Sequence, residues 1–253
     1  MKKILFTLAA VLALSSCTFI KINGTPLSGK NVENAAADVL TKSFEVADFD
    51  VLTINVPADV IYEATNSAYM EVSAPSNVID QIVLTQEDGQ LKIAFRDKIV
   101  FRGLKHFKIH LGSATLAELN VNGAADFNCL SGFKTGNLNV KVSGAGDLDL
   151  AKLEAENVTI RINGAGDLDM EDSKCASLDI SVSGAGDVDL DGINCEGTLK
   201  VVVNGAGDAV ISGKAGEADL TINGAGKVDV RNLDGPIVNS SVNGVGSISK
   251  RSR

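Results

Sequence analysis

The chain has 253 residues, of which 45% are hydrophobic, only 4% are aromatic and 25 are Gly, and it contains no Trp. Its core must therefore come from small branched aliphatic side chains, which favours β structure with thin, repetitive packing. The formal net charge is −9. Because affinity for nucleic acid comes mainly from Lys and Arg, this composition excludes nucleic acid as an expected partner.

The N-terminus has the pattern of a secretory signal. Residues 1–16 start with a basic segment and continue with an apolar run that is too short to span a bilayer as a mature helix. Cys17 then closes the segment LSSC at 14–17, which resembles the lipobox of bacterial lipoproteins. This resemblance implies a signal peptide over residues 1–16, acylation of Cys17 and attachment to a membrane through the lipid. Residues 17–43 are predicted to form a tether between the lipid and the folded body.

The residue after Cys17 bears on the location. In bacterial lipoproteins an Asp at this position is associated with retention in the inner membrane, so Thr18 implies an outer-membrane lipoprotein. The residues that follow contain no acidic cluster of the kind that directs some Bacteroidetes lipoproteins to the cell surface. Both a periplasmic and a cell-surface orientation therefore stay open.

A glycine-rich octet such as SGAGDLDL at 143–150 returns along the chain with a period near 20 residues. The first glycine of its copies is Gly123, Gly144, Gly164, Gly184, Gly205, Gly224 and Gly244. Apolar and polar residues alternate before the octet, and apolar residues return after it at Leu148 and Leu150. Short strands that recur in this way must pair with their copies in the next coil, which predicts an all-β parallel β-helix.

The glycines of the octet are predicted to turn the corner between two walls of each coil, because Gly adopts positive φ and close backbone approach without strain. These corner glycines are Gly144, Gly146, Gly164, Gly166, Gly184, Gly186, Gly205, Gly207, Gly224 and Gly226.

The earlier part of the chain has the same pattern in a less regular form. INVPADVIY at 54–62 aligns without gaps on INGAGDLDM at 162–170, and VSAPSNV at 72–78 aligns with VSGAGDL at 142–148. We therefore assign residues 44–250 to a single solenoid, with degenerate early coils over 44–112 and regular coils over 113–250. The Ser-rich last coil is predicted to be a polar cap over the final core layer.

Three features together resemble a known family over residues 44–250. They are FEVADFDVLTINVPADVIYE at 44–63, EDGQLKI at 87–93 and the serial GAGD coils. The family is the bacterial one described as "putative auto-transporter adhesin, head GIN domain". The resemblance implies a right-handed β-helix and a cell-envelope adhesin without enzymatic activity, and it transfers no catalytic residue.

The aspartates of the octet are predicted to point outward and to stack in two columns. The first column holds Asp147, Asp167, Asp187 and Asp208, and the second column holds Asp149, Asp169 and Asp189. They form either a solvated acidic face that also hydrogen-bonds the corner backbone or a weak divalent-ion site. Ca²⁺ is the candidate ion because the octet resembles Ca²⁺-binding repeats, although those have nine residues per turn. We expect no other cofactor.

Other sites are less well matched by the sequence. The octet leads into a strand in every copy, whereas a dinucleotide fingerprint precedes a single helix. His106 and His110 lie on a predicted strand about 13 Å apart, too far to share a metal ion. We therefore expect a non-enzymatic module that binds a glycan or an envelope or host protein. A carbohydrate-active β-helix, polysaccharide-binding or lyase-like, and a purely structural envelope component are the alternatives.

Cys175 and Cys195 occupy the same position in successive coils, which predicts that they are stacked neighbours. They would form a disulfide in an oxidising compartment or serve as two buried free thiols, and the sequence leaves both alternatives open.

Overall fold

The computed structural model describes residues 31–96 and 99–250. The molecule is 73% strand and 2% helix and forms a β-solenoid of about seven turns, which confirms the predicted fold class. The predicted signal peptide and Cys17 lie outside the described residues. Within those residues we find no helix of sufficient length and apolar character to cross a membrane.

The described residues form 19 strands and one short helix, α1 (Ser76–Ile79). The strands before residue 134 are β1 (Asn31–Asn34), β2 (Val39–Phe44), β3 (Val51–Asn55), β4 (Asp59–Ala64), β5 (Tyr69–Pro75), β6 (Ile82–Glu87), β7 (Gln90–Phe95), β8 (Ile99–Arg102), β9 (Lys108–Ser113), β10 (Glu118–Gly123), β11 (Asp126–Cys129) and the start of β12 (Phe133–Gly144). The later strands are β13 (Leu148–Ala151), β14 (Leu153–Gly164), β15 (Leu168–Glu171), β16 (Lys174–Ala185), β17 (Val188–Ala206), β18 (Ala209–Asp234) and β19 (Ile237–Ser249).

From β10 to β18 every strand pairs in parallel with a strand one coil later. The register aligns equivalent residues, so that Val140 lies beside Ile160 and Ile160 beside Ile180. All three side chains are fully buried. Because side chains alternate along a strand, one aliphatic column of this kind fills the interior while its neighbours face solvent.

The coil formed by β3 and β4 lies inside the stack, although it comes first in the chain. β3 pairs in parallel with both β7 and β10, and β4 pairs with both β9 and β11. The predicted alignment of residues 54–62 is confirmed, since Ile54 lies beside Val121 and Val60 beside Phe127 in the columns of the regular coils. β7 and β9, which come later in the chain, form the coil on one side of it. β10 and β11 form the coil on the other side, from which the regular stack continues.

Two expectations for the N-terminal part are wrong. Residues 72–78 are not a copy of the octet, because β5 runs antiparallel to β2 and β9 and leads into α1. Residues 31–43 belong to the folded body rather than to a tether, because β1 pairs with β8 and β2 pairs with β5. In both cases the deciding factor is pairing with a strand distant in sequence, which the local pattern does not encode.

Aromatic side chains close the N-terminal end of the interior. Tyr62 packs against Phe127 and Phe133 with ring centroids 6.0 and 5.7 Å apart. Phe95 packs in the same manner against Phe101 and Phe107 at 5.3 and 6.0 Å. Aromatic pairs of this kind add about 0.5–1.5 kcal/mol to the burial of their surface. The first coils therefore contain large rings in their interior, and they also include antiparallel strands.

Candidate functional site

The corner of the regular coils is built from glycines of successive turns stacked on one another. Gly164 has φ +148°, and a Cβ added there would overlap the carbonyl oxygen of Gly144 in the preceding coil. A Cβ added at Gly166 would likewise overlap the carbonyl oxygen of Gly146. The other predicted corner glycines repeat this contact in their own coils. Backbone packed this closely leaves no room for a side chain, so the corner presents no pocket at these positions.

A ladder of amide side chains runs beside the glycines. The Asn223 amide donates to Asn204 Oδ1 at 2.7 Å, and the Asn243 amide donates to Asn223 Oδ1 at 2.9 Å. A similar bond joins Asn122 to Asn55 at 2.9 Å near the other end. Each bond joins equivalent residues of neighbouring coils, which identifies a stabilising role for these side chains.

The first column of aspartates is a hydrogen-bonded ladder. The backbone N–H of Asp167 donates to Asp147 Oδ1 at 3.0 Å, and that of Asp187 donates to Asp167 Oδ1 at 2.8 Å. Asp208 continues the series, donating to Asp187 Oδ1 at 2.8 Å and accepting from the Lys227 N–H at 2.8 Å. One oxygen of each carboxylate is thus committed to the backbone of the next coil.

The first column contains two more aspartates than the sequence predicts. Asp126 accepts from the Asp147 N–H at 3.2 Å, and Asp59 lies beside Asp126 in the register. Lys108 lies beside Asp59 at one end of the acidic row. Lys227 is the neighbour of Asp208 at the other end, so a lysine borders each end. The signals were present as GAAD at 123–126 and as the alignment of residues 54–62.

The second column lies two residues further along the same strands. Asp149, Asp169 and Asp189 are in-register neighbours with Asn128 before them and Val210 after them. Burial, reinforced by the charges of Asp149 and Asp189, raises the pKa of Asp169 to about 6. The pKa values of Asp149 and Asp189 are raised as well, chiefly by burial. Asp169 is therefore a carboxylate of this wall that responds to mildly acidic pH.

The second column borders a shallow depression of about 610 Å³ on this wall. Asp169, Asp189, Glu171 and Asp191 line it, and the Ser212 hydroxyl donates to Asp191 Oδ1 at 2.5 Å. Within the part of the chain that the structure describes, no three His, Cys, Asp or Glu side chains are grouped to hold a metal ion. The carboxylates form a flat row instead, and Ca²⁺ binding stays a prediction. We call this outer face of β4, β11, β13, β15 and the matching parts of β17 and β18 the acidic wall.

Several cations on the other walls are paired with acids. Arg161 forms two hydrogen bonds with the Asp179 carboxylate, at 3.0 and 3.1 Å, and Lys134 contacts Glu154 at 2.6 Å. Pairs of this kind on an exposed surface contribute about 0–1 kcal/mol each. An Arg held in this way makes its charge less accessible to an acidic polysaccharide, which weakens the lyase-like alternative.

Cys175 and Cys195 are in-register neighbours on β16 and β17. Both thiols are buried and free in this structure, as is that of Cys129. The hydrogen bond with Cys195, followed by burial, raises the pKa of the Cys175 thiol. The predicted proximity is thus present, and the disulfide itself stays a prediction.

Three solved structures are similar to this chain. A protein of Bacteroides fragilis described as a putative adhesin shares 19% identity and a TM-score of 0.75 over 86% of this chain and 99% of its own. A putative lipid binding protein of Parabacteroides distasonis shares 23% identity over 88% and 100%, with a TM-score of 0.61. A putative adhesin of Parabacteroides merdae shares 18% over 89% and 100%, with a TM-score of 0.62. These likenesses establish the fold.

The sequence comparisons give the family. No curated protein matches the chain. The family model described as "Putative auto-transporter adhesin, head GIN domain" matches residues 48–198 and 176–253, which together cover most of the sequence. The resemblance noted from residues 44–250 is confirmed, and an adhesin-like envelope protein is the role that this family supports. The chain belongs to the family of the putative auto-transporter adhesin, head GIN domain.

Proposed function

We propose that the chain is a lipid-anchored outer-membrane protein whose solenoid acts as an adhesion module. The observation that carries the proposal is the acidic wall, on which equivalent side chains repeat from coil to coil over a flat surface. A repeated surface engages a repetitive or extended partner through many weak contacts, and it needs no single deep pocket. The partner is a glycan or an envelope or host protein.

The anchor and the orientation are tested together on intact cells. The Cys17→Ser variant should leave the membrane fraction, because it removes the only residue positioned for acylation. Protease added to intact cells should digest the wild-type protein if it faces outward and spare it if it faces the periplasm. Protection with an intact outer membrane would rule out a host-directed adhesin and leave a periplasmic binding role.

The adhesion role is tested with a glycan array and with immobilised envelope proteins. Wild-type protein should bind, and replacement of Asp169 and Asp189 by Asn should weaken binding, because both line the depression on the acidic wall. Replacement of Asp234 and Glu217 by Asn and Gln is the matched control, since it removes as much charge outside that depression. Equal binding by both pairs would contradict the use of this surface, and no binding to any probe would favour a structural envelope component.

A second candidate function is carbohydrate binding at the N-terminal end. A depression of about 430 Å³ there is lined by Phe44, Tyr69, Glu71 and His110. An aromatic ring beside carboxylates suits a sugar, because the ring packs on the apolar sugar face while the carboxylates accept hydroxyl hydrogens. Loss of glycan binding in Tyr69→Ala alone would favour this site, and cleavage of the bound polysaccharide would indicate an enzyme.

A further inference from the structure

One segment has the opposite charge to the rest of the body. Residues 95–110, FRDKIVFRGLKHFKIH, contain five Lys or Arg and one Asp. Residues 113–250 contain ten Lys or Arg and 20 Asp or Glu. The basic segment includes β8 and the start of β9, so its charge is concentrated at the N-terminal end of the stack.

β8 forms a two-stranded ribbon with β1 that has one apolar and basic outer face. Val32 lies beside Val100 in the register, and the two side chains are 50% and 40% exposed. Arg102 follows on the same face, because side chains two residues apart on a strand point the same way. Phe101 points to the opposite side and packs on Phe95 at 5.3 Å. The ribbon is thus fixed to the core by one face and presents the other to the surroundings.

The segment that follows β1 is tied to α1 and then exposes two apolar side chains. The Asn77 side chain accepts from the Ala36 N–H and donates to the Asn34 carbonyl, both at 2.9 Å, and so ties β1 to α1. Val39 and Leu40 follow directly and are 46% and 50% exposed. As neighbours on one strand these two side chains point to opposite faces. We call the surface formed by Val32, Val100 and Arg102, with the exposed Lys105 three residues further along the chain, the basal patch.

The chemistry of the basal patch fits an anionic phospholipid surface better than a soluble polyanion. Exposed aliphatic side chains beside Lys and Arg are typical of segments that lie in a membrane interface. Each Lys or Arg near an anionic bilayer contributes about 1 kcal/mol, and the valines gain by leaving water. A soluble polyanion would use the charges and leave the aliphatic side chains exposed.

The point at which the chain enters the solenoid would place the same end of the solenoid near a membrane. This step rests on the proposed lipid anchor at Cys17. Asn31 begins β1 and follows Cys17 by 14 positions, so it lies within about 50 Å of the anchored residue even if the connection is fully extended. The anionic walls of the regular coils would be repelled by the same lipid headgroups, which favours contact through the end of the solenoid.

We propose that the basal patch docks on the anionic phospholipid surface to which the chain is tethered and holds the solenoid end-on, so that the acidic wall projects away from the bilayer. Docking fixes the orientation of the solenoid relative to the bilayer. In this orientation the coils furthest from the membrane are the first that a partner of the acidic wall contacts.

The absence of Trp from the sequence allows a direct test. The full-length lipidated protein is reconstituted in vesicles of phosphatidylcholine alone or with about 30% phosphatidylglycerol. In the Val100→Trp variant, fluorescence should shift to shorter wavelength and be quenched by brominated lipid in the anionic vesicles. The Val210→Trp variant is the matched control, because Val210 is 47% exposed but lies on the acidic wall.

Charge reversal separates docking from incidental contact. Arg102→Glu with Lys105→Glu should reduce the fraction quenched by brominated lipid about tenfold in the Val100→Trp background, as should a rise to about 0.5 M salt. Lys200→Glu with Lys214→Glu is the control pair on the regular coils and should leave the quenching unchanged. Equal emission from the two Trp variants in anionic vesicles would overturn the proposal, as would an equal response in phosphatidylcholine alone.

Flotation with the vesicles reports the anchor independently. If Cys17→Ser abolishes flotation while the two Trp variants behave alike, the anchor stands and docking is overturned. If Cys17→Ser floats as well as wild type, the anchor is overturned, and docking is then judged by the difference between the two Trp variants.

Discussion

Coils before residue 134 contain every aromatic residue of the described body, whereas the coils after it contain none. The first group closes its interior with rings such as Tyr62 and Phe95 and adds antiparallel strands at its edge. The second group fills its interior mainly with columns of Val, Ile and Leu, with Met170, Ala209 and Ala218 among them. The difference teaches that regular coils depend on exact repetition from neighbour to neighbour, while the N-terminal coils depend on individual large side chains.

The corner shows the same difference at single positions. Gly123 and Gly164 are equivalent in the repeat, and both have positive φ, +120° and +148°. A Cβ at Gly164 would overlap the neighbouring coil, whereas a Cβ at Gly123 would meet no atom within 4 Å. The coil before Gly123 has the corner NVPAD at 55–59 in place of the glycines, and its backbone lies further away.

The largest expected effect comes from this corner. Gly164→Ala should destabilise the fold by about 4 kcal/mol, because it combines an unfavourable φ with overlap of the Gly144 carbonyl. Gly123→Ala should cost about 1–2 kcal/mol, since only the φ is unfavourable. Urea unfolding of the two variants beside wild type measures the difference. Equal losses would mean that close stacking of the coils does not limit this corner.

Removal of a core side chain should show whether the interior of a middle coil is tighter than that of the last coil. Ile160 is fully buried between Val140 and Ile180, and Ile160→Ala should cost about 3 kcal/mol. Val242 occupies the equivalent wall in the last coil and is 38% exposed, so Val242→Ala should cost less than about 1 kcal/mol. Similar costs in urea unfolding would indicate that another molecule or segment covers the last coil.

The cysteines provide a third comparison between the two groups of coils. Diamide should join Cys175 to Cys195, lowering the mass by about 2 Da and raising the stability by about 2 kcal/mol. Cys129 stands alone in the earlier coils, so Cys129→Ala should retain the bond and Cys195→Ala should lose it. Mass spectrometry after labelling of free thiols in urea detects the product. Full labelling of all buried thiols after diamide would contradict the disulfide.

The period of the sequence was sufficient to predict which residues of the regular coils meet. Coils of equal length place Gly144 beside Gly164 and Leu148 beside Leu168, and alternation along each strand then separates inward from outward positions. The same reasoning placed Ile54 correctly, because the spacing from Ile54 to Val60 matches that from Ile162 to Leu168.

The N-terminal pairing could not be predicted in this way. Val72 alternates with polar neighbours as a parallel strand would, yet β5 is antiparallel, because alternation is the same in both arrangements. Nor does the period reveal that β3 lies between β7 and β10. At the candidate site the repeat predicts the aspartate columns. It does not predict that only the first column accepts backbone hydrogen bonds from the next coil, or that the pKa values of the second column are raised.

The second column should make the regular coils sensitive to pH. The pKa of Asp169 is raised to about 6 from 3.8, so the folded state binds its proton more tightly than the unfolded state does. Stability is therefore highest below pH 4 with respect to this group and falls as pH rises towards 6. Asp169→Asn should raise stability at pH 7 by about 1 kcal/mol after allowance for solvent screening, and should flatten this dependence.

Thermal unfolding from pH 4 to 8 measures the effect. Asp234→Asn is the control, because Asp234 is an exposed carboxylate outside both columns. If both variants changed the pH profile equally, the cause would be net charge rather than the stacking of carboxylates in the second column.

The smallest expected effect distinguishes a solvated acidic face from an ion site. In the first column one oxygen of Asp147, Asp167 and Asp187 is already engaged with a backbone N–H, and the columns form rows rather than cages. We therefore expect millimolar Ca²⁺ and Mg²⁺ to raise the melting temperature equally and slightly, by screening the repulsion between neighbouring carboxylates. A site with Ca²⁺ at ten times its Kd would add about 1.4 kcal/mol. A rise with Ca²⁺ alone that disappears in Asp167→Asn would contradict the screening explanation and assign the ion to the columns of the regular coils.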